Sequence, residues 1–224
     1  MADAVRRGDR VVCLHMTYGE AGLSWRKNAH PDILARIRRR ELRASLHRLG
    51  VREQRFLGYP DGRLDEVPTQ EAVPRIHAVL DEFRPDAVLT FGPDGFTGNP
   101  DHKTLSGWVS AAFALWGNPG ARLYQSAVSA DWTDSFVPPL NEFDMFWPGH
   151  PVAATHSDLS VRLDDHLLEA KVEALRAHSS QMSVLFDSYG DNFVRALASE
   201  EIFLLADPCG PCPEFASRGA SALR

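Results

Sequence analysis

Apolar and β-branched residues crowd into Arg10–Thr17 (RVVCLHMT) and stop at Gly19-Glu20-Ala21-Gly22, the pattern of a buried strand running out into a loop. From Asp32 to Leu49 the apolar positions Ile33, Leu34, Ile37, Leu42 and Leu46 recur at helical spacing, with Gly50 as the stop. A strand over Gln54–Leu57 and a turn at Tyr59-Pro60-Asp61-Gly62 come next. Thr69–Phe83 is helical again and ends before Arg84-Pro85, and Asp86–Phe91 (DAVLTF) has the character of a strand. A Gly/Pro-rich loop from Gly92 to His102 then leads into an apolar helix reaching Trp116. Three strand-helix alternations in a row predict an α/β fold, a mostly parallel sheet with helices on both faces. Ligands in such sheets bind beyond the carboxyl ends of the strands. The loops at Gly19-Glu20, Pro60-Asp61 and Asp94–His102 are therefore expected on one rim.

The second half is less regular. Short strands are expected at Arg122–Ser126, Phe143–Trp147, Val152–Thr155 and Ile202–Leu205, and a helix over Asp164–His178. With 224 residues, no repeats and no low-complexity linker, the chain reads as one domain, 1–224, whose residues 207–224 form a loose tail.

Composition narrows the function classes. A net charge of -6 gives no general attraction to nucleic acid or anionic lipid, and Arg38-Arg39-Arg40 runs straight into Glu41, as on a solvated helix surface. The chain has no apolar run long enough for a membrane span, and Met1–Arg7 lacks the apolar centre of a secretory signal, so a cytoplasmic location is expected. Three cysteines make no disulfide framework. Cys209-Gly210-Pro211-Cys212 has the letters of a redox motif, but Pro213 and a Gly/Ser/Ala tail follow in place of the helix that would stabilise a thiolate.

Asp101 and His102 stand where the Gly/Pro-rich loop enters a helix directly after a strand. An imidazole is a common zinc ligand, and a neighbouring carboxylate can orient it or handle a proton. A lone His is more often structural, yet no core-packing argument requires a loop shaped by Gly92, Pro93, Gly95, Gly98 and Pro100.

The order GEAG (19–22), RRREL (38–42), LGV (49–51), FLGYPDG (56–62), RPDAVLTFGPDG (84–95), TGNPDH (97–102) and HSSQ (178–181) resembles that of the PIG-L/LmbE-like deacetylases and extends over nearly the whole chain. The resemblance implies a Rossmann-like fold and zinc-dependent hydrolysis of the N-acetyl group of an N-acetylglucosamine-type sugar. It implies that His102, matching the last His of a His-Pro-Asp-His motif, is a Zn2+ ligand, with Asp101 beside it holding helper residues. Asn99 replaces the first His of that motif; it can donate a hydrogen bond to an oxyanion but carries no positive charge. Arg38, Asp61 and Glu20 become candidates for holding the amino-sugar substrate, against plainer readings as a solvated helix Arg, a turn-forming Asp and a turn residue. His178 either lies near the rim or is a cation at a helix C-terminus. Homo-oligomerisation stays open.

Members of the family begin with a strand ending in Ala-His-Pro-Asp-Asp, which supplies further zinc ligands and the general base. Ala29-His30-Pro31-Asp32 reproduces four of those letters but follows Arg26-Lys27-Asn28 and not an apolar strand, and it is read as a coincidence. Met1–Gly8 resembles the last turns of the helix after that strand. A start assigned too late, a truncation, and a non-catalytic relative that binds sugars or partners are the three alternatives.

Overall fold

The computed structural model describes residues 1–22 and 30–206; Ala29, the 207–224 tail and the Cys209/Cys212 pair lie outside the described residues. The chain runs α1 (Ala2–Arg6), β1 (Val12–His15), α2 (Pro31–Arg48), β2 (Glu53–Phe56), α3 (Thr69–Phe83) and β3 (Ala87–Phe91). It continues through a helical turn α4 (Gly95–Gly98), α5 (Pro100–Trp116), β4 (Arg122–Ala127), α6 (Ala130–Asn141), β5 (Leu159–Arg162), α7 (Asp165–Arg176), α8 (Ser179–Ala198) and β6 (Glu200–Leu205). The boundaries follow local chemistry. Pro31 opens α2 at a position that needs no amide donor, and Pro100 does the same for α5, whose N-cap Asn99 accepts from the Asp101 amide at 2.8 Å. Arg84, in the left-handed region at φ 45°, closes α3 ahead of Pro85.

Strands β1 and β2 pair in parallel from Val12 opposite Glu53 to His15 opposite Phe56. Strands β3 and β4 pair in parallel, and β6 then runs antiparallel to both β4 and β5. Leu14, Met16, Val88 and Leu123 pack with Val73, Ile76 and Leu80 of α3 and Trp108, Ala112 and Phe113 of α5 in one core. On the opposite face, the His15 and Tyr18 rings lie tilted against Phe56, each 5.0 Å between centroids, and Arg39 of α2 lies 4.9 Å from the Tyr18 ring. Helices α2 and α7 pack together on this side, and Arg6 of α1 reaches Asp164 at the start of α7. The layered α/β expectation therefore holds, with antiparallel strands at one end.

The sheet is in two pieces, β1-β2 and β3-β4-β6-β5. Among the described residues, neither the second edge of β1 nor that of β3 has a strand partner.

Phe143–Trp147 and Val152–Thr155 are not strands. They belong to a loop in which Phe143 and Phe146 turn into a second apolar cluster with Leu140, Leu185 and Val194. The sequence pattern also missed α6, which contains Pro138 and Pro139, and α8, which is broken by Gly190 at φ 73°.

Candidate active site

The three expected loops meet on one rim, tied by side-chain acceptors. Asp61 accepts from Thr17 Oγ1 at 2.8 Å and from the Ala21 amide at 2.9 Å, joining the loop after β2 to the loop after β1. Glu20 returns the contact: its Oε1 accepts from the Asp61 amide at 3.0 Å, while its Oε2 is buried without a partner. A carboxylate oxygen withdrawn from water and unpaired is costly, so this atom is a place for a ligand hydroxyl or amine. Asp101 is buried and accepts from the Gly62 amide at 2.7 Å and the Leu64 amide at 3.0 Å. Its carboxylate fixes the Pro60–Leu64 turn and is spent on that task.

His102 is half-buried and tightly oriented. Its Nδ1 lies 3.0 Å from the Gly95 carbonyl, which can only accept, so that nitrogen carries the proton and the Nε2 lone pair is free. The ring stacks on Phe91 at 4.0 Å between centroids with 6° between planes. Burial pushes the imidazole pKa down, against smaller upward contributions from the Gly95 carbonyl, Asp101 and Asp61. A neutral imidazole with Nδ1–H held by a carbonyl is in the state that binds a metal through Nε2. The turn before it is strained: Phe96 has φ 62°, ψ -65°, and its ring is gripped by Trp132 at 5.7 Å and Phe146 at 6.4 Å.

Arg38 reaches the same rim from α2, donating to the Gly19 carbonyl at 2.9 Å. Gly19 and Gly22 make room for it, since a Cβ on either would sit 2.5 or 2.3 Å from Arg38 Nη1. Asn99 spends its carbonyl oxygen on the Asp101 amide, leaving the carboxamide nitrogen as a donor. The sequence pattern did not single out Thr17 and Phe91, whose roles depend on what the fold places beside them. It quoted Glu41 only as a letter of RRREL. Glu41 is buried and accepts from Ser179 Oγ, the Ser180 amide and Ser180 Oγ at 2.7 to 2.9 Å, tying α2 to the start of α8. His178 stands at that junction beside Arg38, at the N-terminal end of α8. His30 is exposed at the start of α2 and joins no cluster.

A catalytic zinc needs about three protein ligands and an open position. Among the described residues no group of three or more His, Cys, Asp or Glu is arranged to hold a metal ion. His102 fits as one ligand; Asp101 and Asp61 are committed to amides and a hydroxyl. The described residues therefore do not make a complete metal site.

Comparison with known proteins bears on this geometry. Residues 1–113 match the family model described as PIG-L, GlcNAc-PI de-N-acetylase, just over half of the 224 residues. A 1D-myo-inositol 2-acetamido-2-deoxy-alpha-D-glucopyranoside deacetylase of Mycobacterium sp. (strain KMS) is 31% identical over 213 residues, covering 82% of this chain and 68% of its own. The protein of the same description from Corynebacterium diphtheriae is 29% identical over 211 residues, covering 81% and 70%. Among solved structures, N,N'-diacetylchitobiose deacetylase from Pyrococcus horikoshii superposes with a TM-score of 0.65 at 21% identity, over 92% of this chain and 76% of that one. A 4-carboxy-2-hydroxymuconate hydratase from Pseudomonas putida also superposes, with a TM-score of 0.60 at 14% identity over 92% and 88%. This fold therefore carries more than one chemistry, and the site has to decide between them.

Proposed function

The chain belongs to the PIG-L family, and from that premise we propose that it serves the hydrolysis of an N-acetyl group on an N-acetylglucosamine-type sugar or conjugate. The observation that carries the reading is His102, neutral, with Nδ1 held by Gly95 and Nε2 free, at the point where the loops of Glu20, Asp61 and Asn99 converge. Arg38, Asp61 and Glu20 orient the sugar through its hydroxyls, the unpaired Glu20 Oε2 being an acceptor ready for one. The Asn99 carboxamide nitrogen donates to the acetyl oxygen as it gains negative charge. Zinc is the metal we assign to the complete site, with His102 as one ligand. The described residues supply too few donors to route a step through it.

The remaining donors are not among the described residues. Among the described residues no helix is long and apolar enough to cross a membrane.

Metal content and amine release from an N-acetylglucosaminyl substrate test the reading. They are measured on the 224-residue chain and on a form extended upstream in the same reading frame, each also as His102→Ala. About one zinc per extended chain, lost with its activity in His102→Ala, supports it. Zinc and activity absent from both forms would leave a non-catalytic sugar-binding relative as the better account.

A further inference from the structure

A cavity of about 280 Å³ lies among β4, β6, α6, α7 and α8, and none of Glu20, Arg38, Asp61, Asn99 or His102 lines it. Its walls are aromatic: Trp132 of α6, Phe203 of β6 and Phe96 of the α4 turn, with Leu197 of α8 adding to the apolar lining. These walls are held in place. The Trp132 indole N–H donates to the Leu197 carbonyl at 3.1 Å, and the Phe96 ring meets Trp132 edge-on at 5.7 Å between centroids. The antiparallel register sets Ser126 of β4 opposite Phe203 of β6, so the two strands share the floor. An apolar cavity of about 150 Å³ accepts a benzene ring, so this one has room for a ring carrying a short chain.

Polar groups decide which ring. Ser126 lines the cavity, and its Oγ is withdrawn from water and has no hydrogen-bond partner. A hydroxyl left in that state is costly, and a polar group brought by a ligand would satisfy it. Lys171 and Glu201 also line the cavity and pair with each other at 2.9 Å, so their charges cancel. Glu200 adds a second carboxylate, which forms no ion pair among the described residues. One net negative charge therefore remains beside aromatic walls. Both features favour a cation, the carboxylate by direct attraction and the ring faces through their π electrons.

We propose that this cavity is a binding site for a small phenolic amine in its protonated form, with the ring against Trp132 and Phe203, the ammonium at Glu200 and the phenol hydroxyl at Ser126. The site is separate from the rim of His102 and stands independently of the hydrolysis reading.

Calorimetric titration of the full chain with three probes tests the proposal: tyramine, phenethylamine, which lacks the hydroxyl, and 3-(4-hydroxyphenyl)propanoate, which carries a carboxylate in place of the ammonium. Wild type should bind tyramine about fivefold more tightly than either of the others. Ser126→Ala should erase the margin over phenethylamine, and Glu200→Gln most of the margin over the acid, with both variants melting near wild type. His102→Ala should bind tyramine as wild type does. A wild type that binds no tyramine, or that prefers the acid, overturns the proposal, and so does either cavity variant that keeps its margin. Loss of tyramine binding in His102→Ala would move the amine to the rim and overturn it as well.

Discussion

Asp101 is the strut on which the rim depends, and removing its carboxylate has a calculable cost. In Asp101→Ala the Leu64 amide, on a residue only 2% exposed, loses its acceptor and gains no water. A buried donor left in that state costs about 1–3 kcal/mol, and the Gly62 amide, which water can reach, gives up about 0.5–1.5 kcal/mol. The sum is about 1.5–4.5 kcal/mol, against a total stability of about 5–15 kcal/mol for a domain. Asp101→Asn keeps one acceptor and should lose about half as much. Urea unfolding should show the ordering wild type, Asn, Ala, with the midpoint of Asp101→Ala lower by about 1 M for a slope of about 2–3 kcal/mol per M. Exchange of the Leu64 amide should accelerate in step. Because Gly62 follows Asp61, the freed turn should also raise KM for a sugar more than it lowers kcat. An Asp101→Ala midpoint within error of wild type, with the Leu64 amide still protected, would refute the assignment.

Other expectations separate binding from folding. Gly22→Ala puts a Cβ 2.3 Å from Arg38 Nη1, the mobile end of a long side chain; stability should change by less than about 0.5 kcal/mol while sugar affinity falls severalfold, read by thermal melting and titration. Phe91→Leu keeps bulk but removes the flat face under His102, so zinc affinity of the upstream-extended form should drop while its melting temperature moves little. Burial lowers the pKa of His15, helped by nearby His178, and burial also lowers that of His178. The unfolded imidazoles therefore take up protons first, near pH 6.5; their contribution is complete above that pH and is lost as pH falls below it. Urea midpoints should fall between pH 7.5 and 5.5, with a shallower fall in His15→Gln and His178→Gln; equal slopes would contradict this.

The sequence by itself determined the elements whose signals are local. Apolar spacing with a Pro start or a Gly stop delimits α2 and α5, the strand at Ala87–Phe91 lies between Arg84-Pro85 and Gly92-Pro93, and the alternation of strand and helix puts the Glu20, Asp61 and His102 loops on one rim. Where local signals conflicted, pattern reading failed. Pro138-Pro139 hid α6, Gly190 hid the continuity of α8, and the apolar runs at Phe143–Trp147 and Val152–Thr155 looked like strands because periodicity cannot distinguish a strand from a loop packing its aromatics into a core.

Only the tertiary structure decided what each candidate site residue touches. Asp61 and Asp101 are both loop carboxylates in sequence; that Asp61 accepts from Thr17 and Ala21 while Asp101 accepts from Gly62 and Leu64 depends on which donors lie within hydrogen-bond reach, a property of chain segments about 40 residues apart. The same holds for the Nδ1–Gly95 contact that leaves His102 Nε2 free, and for the unpaired edges of β1 and β3. Hydrogen bonds and strand pairing are satisfied or left open in space, so composition and spacing can nominate these groups but cannot assign their partners.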